Sequence, residues 1–317
     1  MFLYPRLDIF AQSNKEQMKH SFKEWFVVTR YWSFTVSTMP VLATFAFLFS
    51  KHLIPSGALP YLILVLALLG VVILHAAGNV LSDMYDYKKG VDSENAYAVP
   101  NLVFHKFEPK EYLRFSILLF AVGIIIGLVI TLLSGPALLI IGGVGVVLTA
   151  LYSFLKFRAL GDLDIFIIFG ILPVLGTTYA VTGAIVWEAL ILSIPIGIIT
   201  VSVLHANNAS DIQSDGAAGI KTFAMLIGGK ASSILYCAYM IIPFACIVVY
   251  VAAKLLNPLA LLSLLAFVPA LKNIKQAAGY SKKGLEAMEG LDLGSAQLQL
   301  AFSGLLSVSL FVAGLIW

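Results

Sequence analysis

The sequence predicts an all-α integral membrane protein of nine transmembrane helices, and three observations predict it. Of its 317 residues 60% are hydrophobic and 12% charged, about half the charged share of an ordinary soluble domain. The apolar residues gather into runs near 31–50, 60–82, 112–133, 136–155, 163–184, 189–206, 231–252, 258–271 and 298–317, all but the short eighth close to the ~20 residues a helix needs to cross the hydrocarbon. The mean hydropathy of the whole chain is +0.95. The remaining charges lie almost entirely on one side of the serpentine these runs describe.

That asymmetry sets the expected topology. Of 20 Lys and Arg, only Lys51 and Lys254 fall in the odd connections, those after the first, third, fifth and seventh spans. Basic residues are retained in the cytoplasm, so the N-terminal segment 1–24 and the even connections are expected there, in a multi-pass cell (inner) membrane protein with Trp317 outside. Of 17 Asp and Glu, only Glu188 lies on the opposite side. Acids do not obey the positive-inside rule, so their one-sidedness points to a functional face. The N-terminus "MFLYPRLDIFAQSNKEQMKHSFKEW" has charges throughout and no apolar core ahead of a small-residue site, unlike a secretory signal. Cys237 and Cys246 share the seventh span, too far apart along one helix to pair. A single domain, 1–317, is expected.

The odd connections are short, such as "SGPA" at 134–137, whereas the even ones (83–111, 156–162, 207–230, 272–297) are longer and polar. Two of these open alike. "LHAAGNVLSDMYDYKKGVD" (74–92) and "LHANNASDIQSDGAAGIKT" (204–222) each leave an apolar run through Leu-His-Ala, Asn and Ser-Asp. Four spans separate them, which suggests two related four-helix halves whose acidic ends meet at one mouth. On a helix Asn79, Asp83 and Asp86 share a face, as do Asn207, Asp211 and Asp215, with Asn208 beside them. Clustered carboxylates at a membrane boundary repel one another, and desolvation adds to the cost of ionising them. A hard divalent cation relieves both penalties, and Mg²⁺ is typically held by one or two carboxylates plus phosphate oxygens. Two such clusters face to face would make a two-metal clamp on a diphosphate. A single Asp at a helix end is as well explained by the end of a span meeting water. Two clusters at helical spacing are not.

Tyr152, Lys156, Arg158 and Asp162 in "YSFLKFRALGD", and Lys221 in "GIKT", supply the charge and hydrogen bonds a diphosphate needs. Tyr, Lys and Arg also anchor spans at interfaces, and Lys88, Lys89, Lys106, Lys110, Lys282 and Lys283 are read that way. His75 and His205 are read as interhelical hydrogen-bonding residues. Gly123, Gly127, Gly142, Gly143 and Gly145 are read as close-packing positions.

These residues resemble the paired Asp-rich motifs of the UbiA superfamily of intramembrane prenyltransferases. "NVLSDMYDYKKGVD" is similar to its first motif, "NNASDIQSDGAAGIKTFAMLIG" to its second, and Tyr152-Ser-Phe-Leu-Lys156 to its Tyr-x-x-x-Lys motif. Within that superfamily "FRALGDLDIFIIFG", the Asn207-Asn208 pair and "EWFVVTRYWSFTVSTMPVLA" look like the menaquinone branch, the 1,4-dihydroxy-2-naphthoate polyprenyltransferases. The chain departs from that pattern in having Tyr31 after Arg30 where Pro is usual, Ser210 and Gly216 where Arg is usual, and Asp162 where Glu is usual.

The resemblance implies a helical bundle around a central cavity open to the cytoplasmic face. It implies two Mg²⁺ held by Asn79, Asp83, Asp86, Asp211 and Asp215, and substrate contacts from Arg30, Asn79, Asn207, Asn208, Tyr152, Lys156, Arg158, Asp162 and Lys221. Asp83, Asp86, Asp211 and Asp215 are the expected catalytic acids, and Asp92 or Asp162 is expected to orient or deprotonate the acceptor. The implied substrates are a polyprenyl diphosphate and an aromatic acceptor, 1,4-dihydroxy-2-naphthoate first, with loss of CO₂ and diphosphate. 4-Hydroxybenzoate, homogentisate, a porphyrin and a glycerophosphate lipid are the alternative acceptors. No nucleic acid and no obligate protein partner is expected. The reading from another class is a cation- or proton-coupled transporter. Its site would lie near the bilayer midplane on broken helices, whereas these acids gather at helix ends.

Overall fold

The computed structural model describes residues 20–91 and 100–316. Asp92, the residues before His20 and Trp317 lie outside the described residues. Among the described residues nine helices are long and apolar enough to cross a membrane: α1 Tyr31–Ser50, α2 Leu59–Lys89, α3 Pro109–Ser134, α4 Ala137–Lys156, α5 Gly161–Thr182, α6 Trp187–Ser210, α7 Gly229–Ala252, α8 Pro258–Met288 and α9 Leu291–Ile316. Each packs against the next in sequence, and α9 returns to lie along α1. α6 is the most buried helix, wedged between α5, α7 and α9, and α4 is the most exposed. The main core joins residues of α1 and α5–α9, among them Phe47, Ile196, Ile199, Met240 and Phe302, all sealed from solvent. A lipid-facing surface costs a membrane helix nothing, so Leu132, Ile140 and Val268 stay exposed without any hydrophobic penalty.

Several ends differ from the sequence expectation. α2 continues to Lys89 rather than stopping near 82, so its acidic residues lie on one unbroken helix. α8 and α9 absorb most of the 272–297 connection. After a 3₁₀ stretch at Pro258–Ala266, the helix Phe267–Ala277 buries Asn273 and Ala277 while Lys272 and Lys275 point out. A hydropathy count reads such an amphipathic segment as polar, although its inner face is apolar. α9 starts at Leu291, not 298.

Ahead of α1 a short helix, Phe22–Val28, begins with a reciprocal Ser21–Glu24 capping box. It is strapped to the start of α3 by Glu24–Lys106 (2.6 Å) and His20–Glu111 (3.3 Å). Trp25 meets Phe107 and Phe115 with ring centroids 4.8 and 4.6 Å apart. The strap ends at Arg30, which holds a left-handed backbone (φ 56°) and turns the chain into α1.

Candidate active site

The first acidic segment is the last turns of α2. Asn79 donates to Thr29 O (3.0 Å) and Ser33 Oγ (3.2 Å), tying α2 to the strap. One turn on, Asp83 is ion-paired with Arg30. Asp86 is buried and takes Lys156 Nζ, from the end of α4, at 3.3 Å. Gly90 (φ 74°) then stops the helix, with Gly90 N–H donating to Tyr87 O and Val91 N–H to Asp86 O. That is a Schellman motif, which needs a residue free to adopt the left-handed region.

The second segment is less regular than its spacing suggests. α6 ends at Ser210, and Asp211 joins it to a short helix, Ile212–Ala217. Asn207, Asp211 and Asp215 therefore do not share one continuous helical face. The i→i+4 backbone links survive the joint: Asp211 N–H donates to Asn207 O and Asp215 N–H to Asp211 O. Asn207 Nδ2 donates to the Asp211 carboxylate at 3.1 Å, and Ser210 Oγ does so at 3.1 Å. The short helix then stops as α2 does: Gly219 (φ 70°) donates to Gly216 O, and Ile220 N–H to Asp215 O. Asp86 and Asp215 thus occupy the same position, four residues ahead of a left-handed glycine. Asp-x-x-x-Gly was the sequence signal that aligns the two segments, and the Asn-to-Asp spacing obscured it.

The even connections are stitched together by a parallel bridge between Arg158 and Lys221, with Ala159 N–H donating to Lys221 O at 2.8 Å. This bridge brings the Tyr152–Lys156 turn beside the second acidic segment. Lys156 consequently lies within electrostatic reach of Asp86 on one side and Asp215 on the other. Burial pushes the Asp215 carboxyl up to about 6; Lys156 opposes the rise, and the charges of Asp211 and Asp86 add to it. Burial raises Asp211 as well, against its hydrogen bond from Ser210 and the charge of Lys156, with Asp292 adding to the rise.

The other expected residues are placed unevenly. Tyr152 lies one turn deeper in α4 than Lys156, within reach of Lys156, Asp86 and Arg30. Asn208 is buried, and its side-chain oxygen lacks a donor. Asp162, at the start of α5, accepts from or pairs with His205 Nδ1 at 2.7 Å. His75 lies 3.1 Å from Ser37 Oγ and 3.4 Å from Ser33 Oγ, so both histidines join helices as their positions suggested. Arg158 is not brought into the cluster. Its guanidinium lies 3.5 Å from the ring centre of exposed Phe154, and the Lys221 side chain is also exposed. Two acids were missed by the sequence reading. Asp292 opens α9 close enough to act on Asp211. Asp164 is buried in α5, and an acid inside the 163–184 run was itself the signal.

The donor set fits a divalent cation. Among the described residues no three acids, imidazoles or thiols close into a ready-made metal cage, as suits Mg²⁺, which takes much of its shell from phosphate and water. Asp86 Oδ1, Asp215 Oδ2 and Asn208 Oδ1 are buried without hydrogen-bond partners, and buried acceptors left bare call for a donor or a cation.

The fold and this cluster define a polytopic membrane protein with a site of acids and bases at one end of its bundle. The chain belongs to the UbiA prenyltransferase family, whose sequence profile matches residues 31–284. It is 34% identical over 222 residues to the human UbiA prenyltransferase domain-containing protein 1, covering 68% of this chain and 64% of that protein. The protein of the same name from Xenopus tropicalis is 32% identical over 235 residues, covering 71% of this chain and 66% of its own length. The chain thus spans slightly less than two thirds of these relatives. Among solved structures, a UbiA homolog from Aeropyrum pernix K1 in its apo form superposes with a TM-score of 0.67 at 19% identity, over 88% of this chain and 97% of that one. A UbiA homolog from Archaeoglobus fulgidus bound to GPP and Mg²⁺ gives 0.61 at 14% identity, over 92% and 100%. At such identities the likeness establishes the fold.

Proposed function

We propose that the protein transfers a polyprenyl group from a polyprenyl diphosphate to an aromatic acceptor, with 1,4-dihydroxy-2-naphthoate the acceptor that its menaquinone-branch resemblance favours. One observation carries this reading: Lys156 lies within reach of carboxylates from both acidic segments, Asp86 and Asp215. A cation flanked by two acidic clusters is the environment a Mg²⁺-bound diphosphate needs. The archaeal homolog bound to GPP and Mg²⁺ has the same fold, which supports the substrate class.

Asn79, Asp83 and Asp86 would hold one Mg²⁺ and Asp211 and Asp215 a second. When bound, these ions neutralise diphosphate oxygens and stabilise the leaving group. Lys156 adds a fixed positive charge beside that leaving group, the kind of preorganised electrostatics that dominates such catalysis. Arg30, ion-paired with Asp83, would add a second positive charge at the diphosphate end. The apolar bundle beyond Tyr152 excludes water from the allylic cation, and the ring carbon of the acceptor attacks it. Loss of the acceptor carboxylate as CO₂ restores aromaticity. The charge asymmetry supports a cytoplasmic N-terminus and site, with the cavity opening to the cytoplasm of the cell (inner) membrane.

The test is purified protein in detergent with Mg²⁺, a radiolabelled polyprenyl diphosphate and a panel of acceptors including dihydroxynaphthoate and 4-hydroxybenzoate. The wild type should yield a prenylated product, and both Asp83→Ala and Asp211→Ala should lose Mg²⁺-dependent transfer while eluting as folded protein. Transfer at the wild-type rate by either variant would refute the clamp; product from 4-hydroxybenzoate alone would reassign the acceptor.

A further inference from the structure

The acceptor needs a group that recognises its hydroxyl, and of the two acids expected for that task only Asp162 is among the described residues. Asp92 lies outside the described residues, and Asp162 is engaged by His205 at 2.7 Å. Asp164 is different. It is 2% exposed, and neither carboxylate oxygen has a hydrogen-bond partner. A carboxylate sealed from water with both oxygens bare is among the costliest groups a protein can bury. In a native structure such a group signals a missing partner. Its field reaches Tyr152, which also feels Lys156, Asp86 and Arg30. Asp164 therefore lies beside the Tyr152–Lys156 end of the site, on the α5 side.

The backbone that follows Asp164 is irregular. α5 widens into a π-turn at Ile167–Ile171 directly after the segment carrying Asp164, and such turns cluster at functional sites. At Gly170 α5 comes so close to α6 that an added Cβ would lie 3.1 Å from Gly197 Cα and 3.1 Å from Ser193 O. This backbone contact holds α5 against α6 in the turns that follow Asp164.

We propose that Asp164 binds the ring hydroxyl of the aromatic acceptor, accepting its hydrogen bond and taking its proton as the ring attacks. The inference rests on the prenyl-transfer reading above. In the step, the allylic C–O bond breaks with its electron pair leaving on diphosphate. The acceptor ring forms the new C–C bond as the hydroxyl proton passes to Asp164; when the carboxylate then leaves as CO₂ its electron pair returns to the ring, and Asp164 gives the proton back to the ring oxygen. A carboxylate that only accepts selects a hydroxyl over an ether or a bare ring, because an acceptor without an O–H leaves it unpaired.

The test compares wild type, Asp164→Leu and Asp164→Glu, each as the full chain in detergent, with dihydroxynaphthoate and with its hydroxyl-methylated counterpart. kcat/KM is measured for each acceptor at saturating polyprenyl diphosphate and Mg²⁺. Electronic differences between the acceptors are common to all three proteins and cancel in the ratio. Asp164→Leu should lower kcat/KM for the hydroxyl acceptor at least 30-fold and shrink the hydroxyl-over-ether preference at least 10-fold. Its KM for the polyprenyl diphosphate should stay within twofold of wild type, and Asp164→Glu should restore part of the preference. An unchanged preference in Asp164→Leu, or an equal loss toward both acceptors, would overturn the assignment. Failure of the wild type to prenylate any hydroxyarene would instead overturn the reading beneath it.

Discussion

Lys156 owes its place to two separate pieces of sequence. The Tyr-x-x-x-Lys turn delivers it at the end of α4, and the Arg158–Lys221 bridge pins that end beside the second acidic segment. Its charge is shared between Asp86, at 3.3 Å, and Asp215. Lys156→Met should slow prenyl transfer by roughly 100-fold, the usual scale for deleting one preorganised electrostatic group, with a smaller change in acceptor KM; steady-state kinetics with labelled diphosphate reads it. Asp215 gives a pH signature. Its carboxyl titrates near 6 in the folded protein, above its ordinary 3.8, and Asp211 is raised in the same direction. A raised carboxyl favours the protonated fold, so the stability these groups lend the metal-free protein is full below about pH 4 and is lost as the pH rises through 6. Mg²⁺ requires the ionised form. Mg²⁺ affinity should therefore drop as the pH falls below 6, and added Mg²⁺ should raise the melting temperature at pH 7.5 far more than at pH 5. Calorimetry in detergent at the two pH values checks both.

At the scale of elements, α2 and the α6 extension are built to end in acid. Each carries its aspartate four residues ahead of a glycine in the left-handed region, Gly90 and Gly219, so a backbone cap fixes where the carboxylate leaves the helix. The sequence displayed both Asp-x-x-x-Gly signals, but the four-residue spacing of Asn207, Asp211 and Asp215 implied one continuous face where the chain breaks at Asp211. Hydropathy located every crossing helix yet misjudged the ends of α8 and α9, because an amphipathic face with Lys272 and Lys275 outward counts as polar. The contact of α5 with α6 is the most exposed to test. Gly170→Ala places a methyl against the Gly197 and Ser193 backbone, which cannot rotate away, and such overpacking typically costs about 1–3 kcal/mol. The Asp162–His205 pair spans the same two helices, so the variant should lose activity along with thermal stability. A melting curve and a turnover assay on one preparation show whether the two fall together.

For the whole molecule, the placement of charge on one side predicts orientation. In a variant with Cys237 and Cys246 replaced by Ser, a cysteine at Lys254 should react with an impermeant maleimide added outside intact cells. A cysteine at Lys283 should react only after permeabilisation, and the reverse pattern would invert the topology. Composition and the length of the apolar runs by themselves determine that this chain crosses a membrane and where, among the described residues, its nine candidate spans lie, because those properties are local: hydrocarbon length and solvent set them turn by turn. Which acids meet, which cation stands between them and which carboxylate is left bare were decided only by tertiary packing. Asp162 is matched to His205, Lys156 stands between Asp86 and Asp215, and Asp164 is left buried with both oxygens bare. Those outcomes depend on how closely separate helices approach one another, and no stretch of sequence contains that distance.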